Sequence, residues 1–161
     1  MAIEPADALP LTTFYDGWEQ FNRRLVTAIA PLTPDQLALR IAPGQPSIAE
    51  IAGHIVSTRA RWFRERMGEG DQRLEDYFAW DNETAPTLNA AELELGLETT
   101  WRVIDHCLNR WTTADLDATF PVHGATRTRQ WIIWRVIEHD LTHGGELNLL
   151  LRANELHVPD V

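Results

Sequence analysis

The amino-acid sequence predicts an all-α protein, a four-helix bundle with long connections between helices 2 and 3 and between helices 3 and 4. Apolar residues recur every three or four positions in four segments, and residues that favour helix caps precede several of them. No segment shows the alternation typical of a strand, so we expect no sheet. With 161 residues the chain is long enough for a substantial core and is most simply one domain, 1–161.

The first helix is predicted from an apolar face that ends at Pro31, a residue that cannot continue a helix. Thr33 follows as a candidate N-cap with Pro34 in the first turn, which indicates a short helix in the connection. The face of the first helix consists of Phe14, Trp18, Phe21, Leu25 and Ile29.

The second helix has a sharp start, because Ser47 and Glu50 have the spacing of a capping box. Its inner face carries Ile51, Ile55, Thr58 and Trp62, and the helix should end near residues 67–68. Weak periodicity over 68–86 then predicts a long connection. In a compact domain, such a loop often helps to build a site.

The third helix should begin near Asn89, with Glu92 three residues later, and the fourth should run from about Thr128 to Arg152. The intervening stretch "DATFPVHGATRT" is irregular. Helical patterning continues after the pair at 144–145, so these glycines predict a tight contact between helices. The stripe of the third helix comprises Leu93, Leu97, Trp101, Ile104, Leu108 and Trp111.

Composition excludes several functional classes. A formal net charge of −10 argues against a nucleic-acid partner, since phosphate binding needs a basic surface. No apolar run approaches the roughly 20 residues needed to span a bilayer, and the acidic N-terminus is unlike a secretory signal, so we expect a cytoplasmic protein without membrane contact. The single Cys107 excludes an internal disulfide and should pack as a small apolar side chain.

Two histidines on the fourth helix are the main candidates for chemistry. His139 and His143 lie four residues apart, and Glu146 returns to nearly the direction of His139. The same stripe carries apolar residues, so it should face the core, where imidazoles are costly unless something satisfies them. His54 lies on the inward face of the second helix and could supply a third metal ligand. Hydrogen-bonded core histidines are the alternative, and spacing alone leaves both interpretations open. The remaining histidines, His106, His123 and His157, should lie in solvent.

The segments "SIAEIAGHIVSTRARWF" and "WIIWRVIEHDLTHGGELNLLLR" together resemble the DinB superfamily of metal-binding four-helix bundles. The short "LTPDQL" and the connection "DYFAWDNE" are similar to the same pattern. The resemblance implies that His54, His139 and His143 hold a divalent ion, with Zn or Ni favoured, and that the protein is a homodimer. Members commonly read "HHRGQ" where this chain reads "THGGE", so Thr142, Gly144 and Glu146 depart from the usual pattern.

The superfamily includes thiol S-transferases and isomerases that use bacillithiol or mycothiol, as well as metal-dependent hydrolases. We therefore expect a small-molecule enzyme that activates a low-molecular-weight thiol at the three-histidine site. Glu146 is the candidate catalytic residue, and Trp80 and Trp134 are candidates for binding the thiol or its electrophile. The alternatives are a hydrolase with Glu146 as general base, or a non-catalytic metal-binding module of a stress response.

Overall fold

The computed structural model describes residues 10–83 and 85–158; residues 1–9, which contain most of the acidic N-terminal stretch, lie outside this part. The four long helices form the predicted all-α bundle, in which α1 packs on α4 and α3 packs on both α4 and α5. The helices are α1 Thr12–Ile29, α2 Pro34–Leu37, α3 Ile48–Ala60, α4 Ala90–Arg110 and α5 Arg129–Ala153.

Side-chain caps begin the helices where the sequence predicts them. The Ser47 hydroxyl accepts a hydrogen bond from the Glu50 N–H at 3.2 Å, and the Glu50 carboxylate accepts one from the Ser47 N–H at 2.6 Å. Asn89 and Glu92 pair in the same way at the start of α4. Because these bonds satisfy N–H groups that lack partners within the helix, they define where each helix starts.

The core consists of two apolar clusters, one on either side of a polar layer. The first contains Ile51 and Ile55 of α3 together with Leu147 of α5. The second contains Phe63, which follows α3, and Val136 of α5. Between them, α3 and α5 carry the polar residues Thr58, Arg59, His139 and Asp140, all of which are buried.

The first helix departs from its predicted face at one end. Phe14 was expected to point inward, but its side chain is 60% exposed. Tyr15 has non-helical dihedrals, φ −124° and ψ 21°, which kink α1 and turn its first residues away from the stripe that contains Trp18 and Leu25.

The expectation of no strand is wrong within the second connection. Strands β1 Thr119–Val122 and β2 Ala125–Thr128 pair as an antiparallel hairpin, with Thr119 opposite Thr128. Its turn is formed by His123 and Gly124, whose φ values of 46° and 79° are those of a two-residue hairpin turn.

The described part of the other connection also contains regular structure. A π-helical turn, Arg61–Arg66, continues α3, and a 3₁₀ helix, Gln72–Asp81, packs back against α3.

The predicted close contact at the glycine pair is confirmed for one member only. A Cβ atom at Gly144 would lie 2.3 Å from Cζ of Phe21, so the absence of a side chain makes room on α5 for this aromatic ring of α1. A Cβ at Gly145 would meet nothing within 4 Å.

Among the described residues, no helix is both long enough and apolar enough to cross a membrane.

Candidate metal centre

Helices α3 and α5 bring His54, His139 and His143 together. The Nε2 atoms of His54 and His139 lie 2.9 Å apart, and one ring nitrogen from each histidine falls within 4.8 Å of the other two. The centroid of the His54 ring lies 4.7 Å from that of His139 and 4.8 Å from that of His143. The centroids of the His139 and His143 rings are 4.4 Å apart. This is the grouping that the inward positions on the two helices predict.

His139 is the buried member of the group. Burial lowers its pKa to about 3, and repulsion from His143 and His54 acts in the same direction. The imidazole is therefore neutral at physiological pH, as a metal ligand must be. Its Nδ1 is buried without a hydrogen-bond partner among the described residues, whereas its Nε2, which faces the group, lies 3.3 Å from Oγ1 of Thr58 and 2.9 Å from Nε2 of His54.

The donor set fits a divalent ion. Nitrogen ligands around a tetrahedral zinc ion lie about 3.3 Å apart. That value falls between the 2.9 Å separation of the two closest nitrogens and the 4.8 Å limit of the whole group. Neutral imidazoles suit Zn, Ni, Cu and Fe. These three residues could therefore hold a metal ion.

Carboxylates contact the outer nitrogens of two of the histidines. Oδ2 of Asp81 lies 3.2 Å from Nδ1 of His54, and Oε2 of Glu146 lies 2.7 Å from Nδ1 of His143. A proton on Nδ1 can be donated to the carboxylate, which leaves Nε2 free to act as a ligand. Both pairs therefore have the arrangement found around metal-binding histidines.

Glu146 does not face the bundle core, contrary to the expectation from its angular position. Its side chain is 49% exposed. The reason is that the turn of α5 that carries Glu146 borders a cleft rather than another helix.

The cleft beside the histidines has a volume of about 320 Å³, the size of a small-molecule site. Trp80, one of the two tryptophans predicted to bind a ligand, lies in its wall. Trp134, the other, is 63% exposed on the outward side of α5 and is not part of the lining. The lining consists of Pro46, Glu50, Ile51, His54, Trp80, Asp81, Asn82, Ala85, His143 and Glu146.

Sequence reasoning missed Asp81. The residue lies 27 positions from His54, at the end of the 3₁₀ helix. The only signal was the general expectation that the long connection contributes to a site. An aspartate in a loop carries no periodicity that would assign it to a particular histidine.

A buried ion pair beneath the histidines was also missed. Nε of Arg59 donates to Oδ2 of Asp140 at 2.9 Å, and both side chains are fully buried. Nε1 of Trp18 donates to the same oxygen at 2.7 Å, and Nη1 of Arg59 donates to Oδ1 of Asn22 at 2.6 Å. The pair joins α1, α3 and α5 directly beside His139. Its signal in the sequence was a charged residue at an inward position on each of two helices.

The remaining histidines lie outside the group, as predicted: His106, His123 and His157 are exposed.

Comparison with known proteins agrees with this architecture. The sequence model of the DinB superfamily matches residues 18–147. A DinB-like protein from Bacillus cereus ATCC 10987 is 24% identical with a TM-score of 0.74, over 94% of this chain and 97% of that one. A DinB-like protein from Bacillus subtilis is 17% identical with a TM-score of 0.67, over 92% and 96% of the two chains. No curated protein sequence matches the chain. At these identities the two structures establish the fold alone.

Proposed function

The chain belongs to the DinB superfamily, and from its three-histidine group we propose that it is a metal-dependent enzyme that transfers a low-molecular-weight thiol to a small electrophile. The observation that carries the proposal is the position of the group. His139 is buried and does not line the cleft, while His54 and His143 border it. The cleft therefore gives a small molecule access to the ligand nitrogens.

Zn or Ni suits this set of neutral imidazoles, and three protein ligands leave a coordination position for an exogenous ligand. When bound, the ion supplies Lewis acidity, which lowers the pKa of a thiol or a water molecule at that position. Sulfur is a nucleophile as the thiolate rather than the thiol.

Residues of the cleft account for the rest of the reaction. Ile51 and Trp80 offer apolar surface to the electrophile, and Glu146 borders the same space. The thiol loses its proton to Glu146 or to solvent, its sulfur forms a bond to the electrophilic carbon, and the leaving group departs with the electron pair of the broken bond. Glu146 is thus the catalytic residue of the proposal.

Hydrolysis is the second candidate, and the position of Glu146 favours it specifically. Its carboxylate lies at the cleft within 2.7 Å of His143, where it can accept a proton from a water molecule. The two reactions use one site and differ in the nucleophile.

An assay of the untagged protein separates these functions. The protein loaded with Zn²⁺ or Ni²⁺ should conjugate cysteine, glutathione, bacillithiol or mycothiol to 1-chloro-2,4-dinitrobenzene, and chelation should abolish the reaction. Turnover that survives removal of the metal refutes the proposal. Thiol-independent cleavage of p-nitrophenyl acetate indicates the hydrolase instead. Stoichiometric metal without either activity indicates a non-catalytic module, such as one that serves a stress response.

Substitution of the histidines tests the ligand set directly. Replacing His54, His139 or His143 by alanine should abolish or greatly weaken metal binding, because each supplies one of the three clustered nitrogens. His106→Ala and His157→Ala are the matched controls and should keep the metal. A His54→Ala protein with stoichiometric metal by elemental analysis would reject the ligand set.

The role of Glu146 is tested by Glu146→Gln, which should retain the metal and lose most of the activity. Loss of both would show that Glu146 is itself a ligand, and loss of neither would remove it from the mechanism.

A homodimer is supported by the outward face of α5. Trp134 is 63% exposed, Leu141 52% and Leu149 57%, and these residues share one side of the helix with the partly exposed Trp131. We propose that this face packs against a second copy and that Trp134 acts there rather than in the cleft. Light scattering should give the dimer mass, and Trp134→Glu should give the monomer. A monomer mass for the unaltered protein contradicts the assignment.

A further inference from the structure

Two adjacent residues of α3 face two adjacent residues at the end of the 3₁₀ helix. Nδ1 of His54 lies 3.2 Å from Oδ2 of Asp81. Beside this pair, a Cβ atom at Gly53 would lie 3.4 Å from the backbone oxygen of Trp80, which is ordinary van der Waals contact, and 3.1 Å from Cδ1 of Leu88. The backbone of the 3₁₀ helix therefore packs directly against α3 at Gly53, next to the contact between the carboxylate and the imidazole.

The indole of Trp80 anchors the same segment on a second helix. A Cβ atom at Gly96 of α4 would lie 2.7 Å from Cζ3 and 2.9 Å from Cη2 of that ring. Tyr77 packs edge-to-face on the indole with a centroid distance of 4.7 Å. The end of the 3₁₀ helix thus packs between α3 and α4. The Trp80 ring occupies the space that the missing side chain at Gly96 leaves on α4.

Arg61 holds the segment from the other side. Its Nη2 donates to the carbonyl oxygen of Phe78 at 2.5 Å and lies 3.6 Å from Oδ1 of Asp81. One carboxylate oxygen of Asp81 therefore faces Arg61 while the other contacts His54. The Asp81 side chain is 17% exposed and that of His54 is 37% exposed, so the pair is partly exposed to solvent.

From these contacts we infer that Asp81 is a positioning residue for His54, the metal ligand of the proposed function. By accepting a hydrogen bond from Nδ1–H, the carboxylate selects the tautomer with a free Nε2 and holds the ring so that Nε2 faces His139 at 2.9 Å. Glu146 and His143 lie one turn apart on α5, so their contact depends on that helix alone. The contact between Asp81 and His54 depends on how the 3₁₀ helix packs against α3. His54 is thereby the ligand whose orientation a separate segment of the chain controls.

Metal affinity, rather than turnover, measures this role. Loss of a carboxylate behind a ligating histidine weakens metal binding about 10–100-fold. We expect that loss in Asp81→Ala, measured as the Zn²⁺ dissociation constant by competition with a chromophoric chelator. Asp81→Asn should lose less, because its amide oxygen still accepts from Nδ1–H. Asp76→Ala, at an exposed aspartate of the same 3₁₀ helix, is the matched control and should bind Zn²⁺ as the unaltered protein does.

The melting temperature of the metal-free variants separates positioning from a general loss of structure. Asp81→Ala should melt close to the control, since one partly exposed pair of side chains contributes little to stability. Gly96→Ala provides an independent test at a distance from the metal, because displacement of Trp80 should move Asp81 and weaken Zn²⁺ binding as well. Gly17→Ala, where a Cβ meets nothing within 4 Å, is its control.

The tautomer of His54 gives a readout that requires no metal. Histidine ¹⁵N spectra of the metal-free protein at mildly alkaline pH should show His54 protonated on Nδ1, and Asp81→Ala should shift it towards the Nε2–H form. Equal Zn²⁺ affinity for Asp81→Ala and Asp76→Ala, or an unchanged tautomer, would overturn the inference. A wild-type protein that binds neither Zn²⁺ nor Ni²⁺ would refute the metal site itself. Weakened binding without any turnover would refute only the proposed reaction.

Discussion

Replacing each member of the glycine pair by alanine should change the stability of the protein in opposite directions. Both residues lie inside α5 and are followed by two further turns of helix. At Gly145 an added Cβ meets nothing within 4 Å. Gly145→Ala should therefore stabilise the protein by about 0.5–1 kcal/mol, because alanine restricts the unfolded chain and favours the helix.

At Gly144 the same gain is opposed by a clash. The new Cβ would lie 2.3 Å from Cζ and 3.0 Å from Cε2 of Phe21. The ring must retreat by roughly 1 Å to reach ordinary contact distance, and overpacking of this kind costs about 1–3 kcal/mol. Since the helix propensity term is common to the two variants, their difference is the overpacking cost alone. For a chain of this length it corresponds to a melting-temperature difference of at least about 2 °C.

Urea denaturation and thermal melting of both alanine variants measure this difference. Phe21→Leu in the Gly144→Ala background should recover part of the loss, and the double-mutant cycle should give a coupling between the two sites. A Gly144→Ala protein as stable as Gly145→Ala would show that the Phe21 ring does not pack against Gly144.

Three further outcomes are expected. Asp140→Asn should destabilise the protein by about 3–5 kcal/mol in urea titrations, because it leaves the buried charge of Arg59 without its partner. The double variant with Arg59→Met should be less destabilised than the sum of the two single changes. Burial and the Glu69 carboxylate raise the pKa of the Cys107 thiol to about 12. The native protein should therefore resist Ellman's reagent at about pH 8 and react once it is unfolded in guanidinium. Rapid reaction of the native protein would contradict the burial of this thiol. Bound metal and activity should fall together as the solution is acidified, because protons and the metal ion compete for the same ligand nitrogens, and loss of activity while the metal content stays constant would contradict this coupling.

Local structure was readable from the sequence wherever a few neighbouring residues determine it. The caps at Ser47 and Asn89 each depend on a side chain that bonds to an N–H group three residues away. The shared direction of His139 and His143 follows from helical geometry alone. These features hold whatever the helix packs against, and the structure confirms all of them.

The hairpin shows where this reasoning fails. Each of its strands has four residues, and β1 contains Pro121, so neither strand displays a recognisable alternation. The pairing is stabilised by hydrogen bonds between strands and by the turn at His123–Gly124. Those interactions exist only after the hairpin has closed.

Contacts between elements were decided by the tertiary structure. The sequence placed His54 on an inward face, but its distance from His139 depends on how α3 and α5 are rotated and spaced in the bundle. The same packing brings Trp80 and Asp81 to the cleft and leaves Trp134 outside it. A short segment of sequence predicts the direction in which a side chain points from its own helix. The partner that it meets is determined by the packing of all four long helices together.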